Sequence, residues 1–147
     1  MAVIDQALAE VIALHQLFEG WLGGTLPRDP EVFQRCAASL APDFTQIDPE
    51  GRWQPRDPLL ARLAAAHGIH RDADQPFLIE IRAAAPRVSA GDLVAVTYEE
   101  HQRIRGVWRA RLSTALFTAD PTAPEGVLWR HLQETWVPDP AVTHRSS

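Results

Sequence analysis

Four polar side chains interrupt apolar runs in the second half of the chain, and they are the residues best suited to do chemistry. They are Tyr98, Glu100, Thr114 and Glu134. Burying them is costly unless hydrogen bonds or a solvated cavity compensate. Two carboxylates that converge in an apolar pocket would raise at least one pKa, which is typical of a ligand site or an acid/base site. Alternatively, both glutamates lie at strand ends in contact with water, or they pair with Arg130 or Arg62.

Two residues of the first half also have chemistry of their own. His15 is the polar residue on the apolar stripe of a predicted helix. It is therefore either a core histidine held by one hydrogen bond or a pocket-lining acid or base. Cys36 lies on the apolar side of a second predicted helix, which favours a buried small hydrophobe over a nucleophile. Because it is the only cysteine, an internal disulfide and a cysteine metal site are excluded.

A short histidine- and aspartate-rich segment invites a metal hypothesis. His67, His70, Asp72 and Asp74 fall within eight residues. No predicted helix or hairpin would bring them together and no second cluster completes the set, so we favour a solvated loop and expect no metal. The chain has no phosphate-binding glycine loop or nucleophile elbow, and we expect no cofactor. All 14 basic residues are arginine, which excludes lysine Schiff-base chemistry.

Composition narrows the class of protein. The 147 residues, 46% hydrophobic and 22% charged, predict a single globular domain over residues 1–137 with a tail at 138–147. A net charge of −5 disfavours nucleic-acid binding. The chain lacks an apolar run of about 18 residues and a basic N-terminal region, so we expect no membrane span and a cytoplasmic location. Lysine and asparagine, both encoded by AT-rich codons, are absent, which suggests a GC-rich bacterial source.

Periodicity places the candidate residues on helices and strands. Apolar residues at helical spacing from Ile4 to Leu22 predict a first helix, and Asp29-Pro30 and Asp57-Pro58 each predict the start of another. A short strand at 44–48 is predicted, with Trp53 on a brief returning strand. Longer strands follow at 77–82, 93–104, 108–118 and 127–137, joined by short turns that imply antiparallel pairing. We therefore predict an α+β fold, with three N-terminal helices packed on the concave face of a curved, mainly antiparallel sheet.

Alternation along the strands assigns their side chains to two faces. We assign the more apolar set to the helices; besides the four polar residues it contains Val94, Val96, Ala110, Leu112, Leu116, Leu128, Leu132 and Trp136. The other set carries Ala95, Phe117 and Trp129 among arginines and histidines, which is typical of a polar protein–protein interface. We predict a homodimer through this outer face. A single bulge would invert the assignment along part of a strand.

The order of these elements resembles the nuclear transport factor 2 (NTF2) superfamily. The resemblance runs from Leu8 to Val137. Three segments, at 41–45, 48–51 and 129–136, are similar to the bacterial SnoaL-like group of unassigned function. The resemblance implies a cone-shaped fold, also described as a cystatin-like roll, which ketosteroid isomerase, SnoaL-type polyketide cyclases and limonene epoxide hydrolase share.

The ketosteroid isomerase branch implies one catalytic residue. Its general-base aspartate stands where this chain has Asp48-Pro49, so the resemblance makes Asp48 a candidate base. The residue alone instead indicates an aspartate that initiates the turn before Pro49-Glu50-Gly51. The isomerase's oxyanion donors are not matched, since the first helix has no tyrosine and the late-strand donor is replaced by Ser113 or Thr114. We therefore do not expect steroid isomerase activity.

These considerations leave two functional hypotheses. The first is a pocket for a hydrophobic small molecule, with proton transfer such as isomerisation, cyclisation or hydration if the protein is an enzyme. The second is a noncatalytic homodimeric association or ligand-sensing module, in which the tryptophans serve packing. For the first, Asp48 is the candidate base, and the predicted binding residues are His15, Phe18, Trp21, Trp53, Tyr98, Glu100, Thr114, Glu134 and Trp136.

Overall fold

The computed structural model describes residues 2–138. Within this range the helices are α1 (Val3–Gly23), α2 (Pro30–Ser39) and α3 (Arg56–Ala65). The strands are β1 (Leu40–Ile47), β2 (Trp53–Pro55), β3 (Leu78–Ala90), β4 (Leu93–Ile104), β5 (Val107–Ala119) and β6 (Val127–Trp136). The predicted tail lies outside the described residues apart from Pro138, so its boundary stays a prediction.

All six strands form one sheet in the order β2-β1-β6-β5-β4-β3. Every neighbouring pair is antiparallel except β1 and β6, which are parallel. The predicted α+β class with three helices and a curved, mainly antiparallel sheet is confirmed. The parallel pair joins strands that are not consecutive, since the chain completes β2, α3 and the β3–β5 meander before β6 pairs with β1.

The helix boundaries follow from local chemistry. Asp29 caps α2 by accepting a hydrogen bond from Glu31 N at 2.9 Å, and Pro30 occupies the first turn, where its missing N–H costs nothing. The α1 helix ends at Gly24, whose φ of 77° allows its N–H to reach the carbonyl of Trp21. The second Asp-Pro pair behaves differently, because α3 begins at Arg56 and Asp57 pairs with Arg56 instead of capping the helix.

The turn between β4 and β5 sets which side chains share a face. Ile104 pairs with Val107, which leaves a two-residue turn at Arg105 and Gly106 with φ values of 50° and 79°. Positive φ at both positions is the geometry of a tight hairpin turn. Partner numbers across this hairpin therefore always add to an odd sum, so even-numbered residues of β4 lie opposite odd-numbered residues of β5.

This register corrects the predicted assignment of β5. The helix-facing residues of β5 are Arg111, Ser113, Ala115 and Phe117. Thr114, predicted to lie in the pocket, is exposed on the outer face with Leu112. The prediction was wrong because both faces of β5 contain apolar residues, so periodicity within that strand does not decide between them.

A bulge in β6 makes a second correction. Leu116 pairs with His131 and Phe117 with Trp129, so Arg130 is an extra residue between two ladder positions. The bulge turns Trp129 toward the helices, where it is 1% exposed, and leaves Glu134 on the same side. The prediction that Trp129 and Phe117 face a partner subunit is therefore wrong, because both belong to the core.

The core lies between α1 and the covered face of the sheet, and an ion pair of Glu10 with Arg35 is part of it. Glu10 of α1 accepts hydrogen bonds from Arg35 of α2 and, at 2.8 Å, from the indole nitrogen of Trp129. This carboxylate ties two helices to β6. Burial raises the pKa of Glu10, and the hydrogen bond and charge of Arg35 oppose that rise. Cys36 is buried beside the pair, and burial raises its pKa to about 12, so the thiol stays protonated.

Candidate functional site

A cavity of about 250 Å³ lies between α1, α3 and the covered face of the sheet. This volume is slightly below the ~300–1,000 Å³ that is usual for pockets of drug-sized ligands. Its apolar lining residues are Leu14, Phe18, Leu22, Leu40, Phe44, Leu59, Leu63, Trp129 and Leu132. Its polar lining residues are His15, Gln46, His70, Glu100, Gln102, Arg111 and Glu134.

His15 and Glu100 form a buried pair in the cavity wall. The Nδ1 atom of His15 lies 2.7 Å from the carbonyl oxygen of Val11, and Nε2 lies 3.1 Å from Oε1 of Glu100. The other carboxylate oxygen of Glu100 accepts a hydrogen bond from Gln102 at 2.5 Å. Since the Val11 carbonyl only accepts, Nδ1 carries a hydrogen. A second proton must then lie between Nε2 and Glu100.

The electrostatics of this pair favour the ionised form. Burial opposes the charge on His15, but the charge and hydrogen bond of Glu100 outweigh it and raise the pKa of His15. Burial alone would likewise raise the pKa of Glu100, whereas the charge and hydrogen bond of His15 lower it to about 2. The pair is therefore an imidazolium beside a carboxylate, and Glu100 is a poor proton acceptor at neutral pH.

Glu134 lies in the same wall in a different environment. Gln46 donates to its Oε1 at 2.5 Å, and Nη1 of Arg111 donates to both carboxylate oxygens at 3.2 Å. Burial raises the pKa of Glu134; the charge of Arg111 opposes the rise and repulsion from Glu100 adds to it. Of the two cavity carboxylates, Glu134 thus has the higher pKa, which is the separation expected when one group is to exchange protons.

Two hydroxyl groups lie behind this wall. Tyr98 and Ser113 are cross-strand neighbours on the covered face, and both side chains are buried. The Ser113 hydroxyl is near enough to lower the pKa of Tyr98, and neither hydroxyl has a hydrogen-bond partner elsewhere among the described residues. Tyr98 contacts the ring of His15 edge-on at 5.3 Å between ring centroids. Burial, reinforced by the charge of Glu100, raises the pKa of Tyr98, so it is a neutral phenol that supports the cavity floor.

The structure brings together four of the residues predicted for the site. His15, Phe18, Glu100 and Glu134 line the cavity, and Tyr98 packs directly beneath it. Trp21 is buried elsewhere, between Phe33 and His67, and its indole nitrogen donates to the carbonyl of Leu63. Trp21 therefore packs the helices and is not in the cavity lining.

Trp53 and Trp136 also lie outside the cavity. Trp53 is 67% exposed on the outer face, where its ring contacts His131. Trp136 lies beneath Arg109, whose guanidinium carbon is 3.6 Å from the ring centroid. Both positions follow from the edge location of β2 and from the end of β6, which runs past the cavity.

Asp48 occupies the turn between β1 and β2 and is not in the cavity lining. Its carboxylate accepts hydrogen bonds from the backbone nitrogens of Glu50 and Arg52 and from the side chains of Arg52 and Gln54, all at 2.8–2.9 Å. Burial would raise the pKa of Asp48, but these hydrogen bonds lower it. Its geometry matches the turn-initiating interpretation, and every oxygen of the carboxylate is engaged.

A second depression, which we call the entrance groove, adjoins the cavity. It has a volume of about 400 Å³. Its lining residues are His70, Gln102, Ile104, Val107, Arg109, Arg111 and Trp136. Three of them, His70, Gln102 and Arg111, also line the cavity. The groove and the cavity therefore meet at these three side chains.

The histidine- and aspartate-rich segment does not converge on one point. His67 contacts the Leu26 carbonyl, His70 packs on Phe77, and Asp72 caps the turn that follows it. Among residues 2–138, no three histidine, cysteine, aspartate or glutamate side chains are placed to hold a metal ion. None of the helices described here is long and apolar enough to cross a membrane.

Sequence reasoning missed Arg111 as a site residue. Arg111 lies opposite Glu100 across the hairpin and contacts Glu134. The signal was present in Arg105-Gly106, since a two-residue turn requires the odd register that puts Arg111 beside Glu100. Gln46 and Gln102 were missed because neutral amides carry no distinctive pattern.

The fold has many relatives among solved structures. An NTF2-like protein of unknown function from Pseudomonas aeruginosa is 25% identical, with a TM-score of 0.79 over 90% of this chain and 98% of the other. The hub homology domain of a Chlamydomonas reinhardtii CaMKII is 17% identical, with a TM-score of 0.63 over 93% and 99% of the two chains.

A third structure is an uncharacterised protein with a cystatin-like fold from Caulobacter vibrioides. It is 17% identical, with a TM-score of 0.61 over 91% and 92% of the chains. At these identities the last two comparisons establish the fold alone. No functionally curated protein matches the chain.

The sequence itself matches one family model. The match covers residues 7–138, and the model describes the C-terminal region of sucrose-6-phosphate phosphohydrolase. It spans the three helices and all six strands, apart from the first residues of α1. Together with the structural relatives it confirms the resemblance inferred from sequence. The chain has the NTF2-like cone fold and belongs to the sucrose-6-phosphate phosphohydrolase C-terminal family.

Proposed function

We propose that the chain binds a small, mainly apolar molecule in the cone cavity, and that a neutral polar group of this molecule faces Glu134. The observation that carries this proposal is the cavity itself, whose apolar side chains surround two buried ion pairs. Apolar walls favour removal of the ligand's surface from water. A carbonyl or hydroxyl oxygen of the ligand can accept a hydrogen bond from Arg111, and a hydroxyl group can also donate one to Glu134.

The charges of the wall explain why the group in the cavity should be neutral. His15 as imidazolium balances Glu100, and Arg111 balances Glu134, so the four groups sum to zero. A buried charge on the ligand would upset this balance at a large cost in desolvation. Because the pKa of Glu134 is raised by burial, Glu134 is the residue that we propose to exchange a proton with the ligand. Isomerisation, cyclisation and hydration are the reaction types that need no more than this.

Binding can be tested with cyclohexanone and cyclohexanol as probes, by isothermal titration calorimetry. Leu132→Phe fills part of the cavity and should weaken binding at least about tenfold, because it removes the space that the ligand occupies. The same change on the outer face, Leu112→Phe, is the matched control and should leave affinity unchanged. Unaltered binding by a folded Leu132→Phe variant would contradict a cavity site.

Proton exchange is tested separately on the same complex. In D₂O, Glu134 should remove a proton from the carbon next to the carbonyl of bound cyclohexanone, and deuterium should then replace it. NMR measures this incorporation. The Glu134→Gln variant should bind cyclohexanone with similar affinity and lose the exchange. Exchange at the wild-type rate in that variant would exclude Glu134 and leave the binding role intact.

We propose, as a second function, that two copies associate through the outer face. Support comes from its composition: Leu112 is 45% exposed and Trp53 is 67% exposed, and Thr114, Gln133 and Thr135 beside them are uncharged. Glu99, opposite Leu112 on β4, is paired with His101. A two-fold interface places a surface against itself, so a surface with few unpaired charges limits repulsion. Although Trp129 and Phe117 lie inside, the outer face therefore remains suited to self-association.

Sedimentation velocity tests this association. The wild-type chain should sediment as a dimer, and Leu112→Glu should shift it to monomer, because the change places a carboxylate against its symmetry mate. Ile69→Glu is the matched control, since Ile69 is 60% exposed in the segment after α3 and away from the sheet. A Leu112→Glu variant that remains dimeric would contradict the outer face as the interface.

A further inference from the structure

The entrance groove contains a cation without a counter-ion. Arg109 is exposed, and it forms no ion pair with any carboxylate in the described part of the chain. Its neighbour Arg111 differs, because Glu134 neutralises it at 3.2 Å. An arginine that lies at the mouth of a pocket and is not neutralised by a carboxylate of the protein is available to a ligand.

The guanidinium of Arg109 is also held in place. It stacks 3.6 Å from the centroid of Trp136, and the indole nitrogen of Trp136 donates to Glu50 at 2.8 Å. Stacking on a ring that is itself anchored limits the rotamers of Arg109 and leaves its N–H edge free. Less conformational entropy is then lost when an anion binds.

The surroundings of the groove reinforce the positive charge. Arg105 of the hairpin turn is close enough to lower the pKa of His70, together with burial, which is the larger cause. His70 is thus neutral near pH 7 and adds no positive charge of its own. Two carboxylates lie near these residues. Glu50 accepts from the indole nitrogen of Trp136. The pKa of Asp72 is lowered by hydrogen bonds from the backbone of Gln75 and Asp74 and by the charge of Arg105. Of the two arginines that line the groove, Arg109 is thus the one without a carboxylate partner among the described residues.

The groove and the cavity share His70, Gln102 and Arg111, so one molecule can occupy both. We infer that the ligand is an amphipathic carboxylate, with its apolar body in the cavity and its carboxylate in the entrance groove against Arg109. A planar carboxylate suits the N–H edge of one arginine, which can donate two parallel hydrogen bonds to it. This inference rests on the proposed function, because the apolar body is the ligand assigned there to the cavity.

The test compares 3-cyclohexylpropanoate with its uncharged primary amide, by calorimetry at pH 7.5 and low salt. Wild-type protein should bind the acid roughly fivefold more tightly than the amide, the size expected for an exposed ion pair. Arg109→Gln should abolish that preference without changing affinity for the amide. Arg28→Gln removes an exposed arginine distant in sequence from the groove-lining residues and should preserve the preference. High salt should reduce it.

The outcomes separate the two proposals. If the amide binds and the acid binds no more tightly, or if Arg109→Gln keeps the preference, the carboxylate site is wrong and the cavity function stands. If neither compound binds the wild-type protein, both are wrong for this class of ligand. A third compound, 3-cyclohexylpropyl phosphate, tests the head group: tighter binding than the acid, lost in Arg109→Gln, would overturn the carboxylate assignment in favour of a phosphate.

Discussion

The Nε2 atom of His15 lies 3.1 Å from Oε1 of Glu100, and the opposite ring nitrogen of His15 already donates to the Val11 carbonyl. The two side chains come from α1 and β4, 85 positions apart in sequence. Because an unprotonated Nε2 and an ionised carboxylate would be two facing acceptors, a proton must lie between them. This proton gives the wall of the cavity its charge balance and links the charge balance to pH.

The stability of the protein should therefore depend on pH through this pair. The pKa of folded His15 is raised above 6.5, so its contribution is complete below pH 6.5 and is lost as the pH rises through the folded value. The pKa of folded Glu100 is lowered from 4.5 to about 2, so its contribution is present above pH 4.5 and is lost as the pH falls toward 2. The contribution of the pair should be greatest between pH 4.5 and 6.5.

Glu100→Gln isolates this contribution. Urea denaturation should show a loss of roughly 3 kcal/mol in the free energy of unfolding at about pH 5.5 and a smaller loss at about pH 8.5. Glu31→Gln, at an exposed helix position, should change stability by less than about 0.5 kcal/mol at either pH. A loss for Glu100→Gln that is equal at both pH values, or larger at the alkaline one, would show that His15 is not an imidazolium.

The buried carboxylate of Glu10 should matter far more than a surface one. Glu10→Ala leaves Arg35 and the Trp129 indole nitrogen without their acceptor. We expect the free energy of unfolding to fall by roughly 3 kcal/mol, because both donors lose their partner in or near the core. Asp43→Ala breaks the exposed pair with Arg130 and should cost less than about 1 kcal/mol. Equal losses for the two variants in urea denaturation would contradict a structural role for Glu10.

The thiol of Cys36 should be inert in the native protein. It is fully buried and its pKa is raised to about 12 by burial, so the thiolate needed for reaction is scarce. Labelling with an aromatic disulfide reagent at pH 8 should proceed only as fast as the protein unfolds, and urea should accelerate it. The thiol introduced by Ser89→Cys, at an exposed strand position, provides the rapid reference. Comparable rates for the two thiols would show that Cys36 is accessible and reopen its interpretation as a nucleophile.

Much of the fold could be predicted because its signals are local. The apolar stripe of α1, the Asp29-Pro30 start of α2 and the length of each strand depend on neighbours a few residues apart. His15, Glu100 and Glu134 could be identified as candidate site residues for the same reason, since each is a titratable group in an apolar run. All three side chains lie in the cavity wall.

The face assignment of β5 and β6 could not be predicted in the same way. Alternation within a strand shows which of its residues share a face. It does not show which of these two sets lies on the same side of the sheet as a given set in the neighbouring strand. The two-residue turn at Arg105-Gly106 fixes the register of β5 against β4. This register places Arg111, and not Thr114, in the cavity wall. Had the register implied by that turn been applied, Arg111 would have been identified from sequence.

The bulge at Arg130 depends on tertiary contacts. Its extra residue lets Trp129 reach Glu10 while Glu134 still faces Arg111, and both contacts involve residues distant in the chain. Local chemistry thus determined the elements and the titratable side chains, because those depend on spacing along one chain segment. Packing of α1 against the complete sheet decided which side chains meet. Trp129 is buried and the cavity charges are paired only when all the strands are in register.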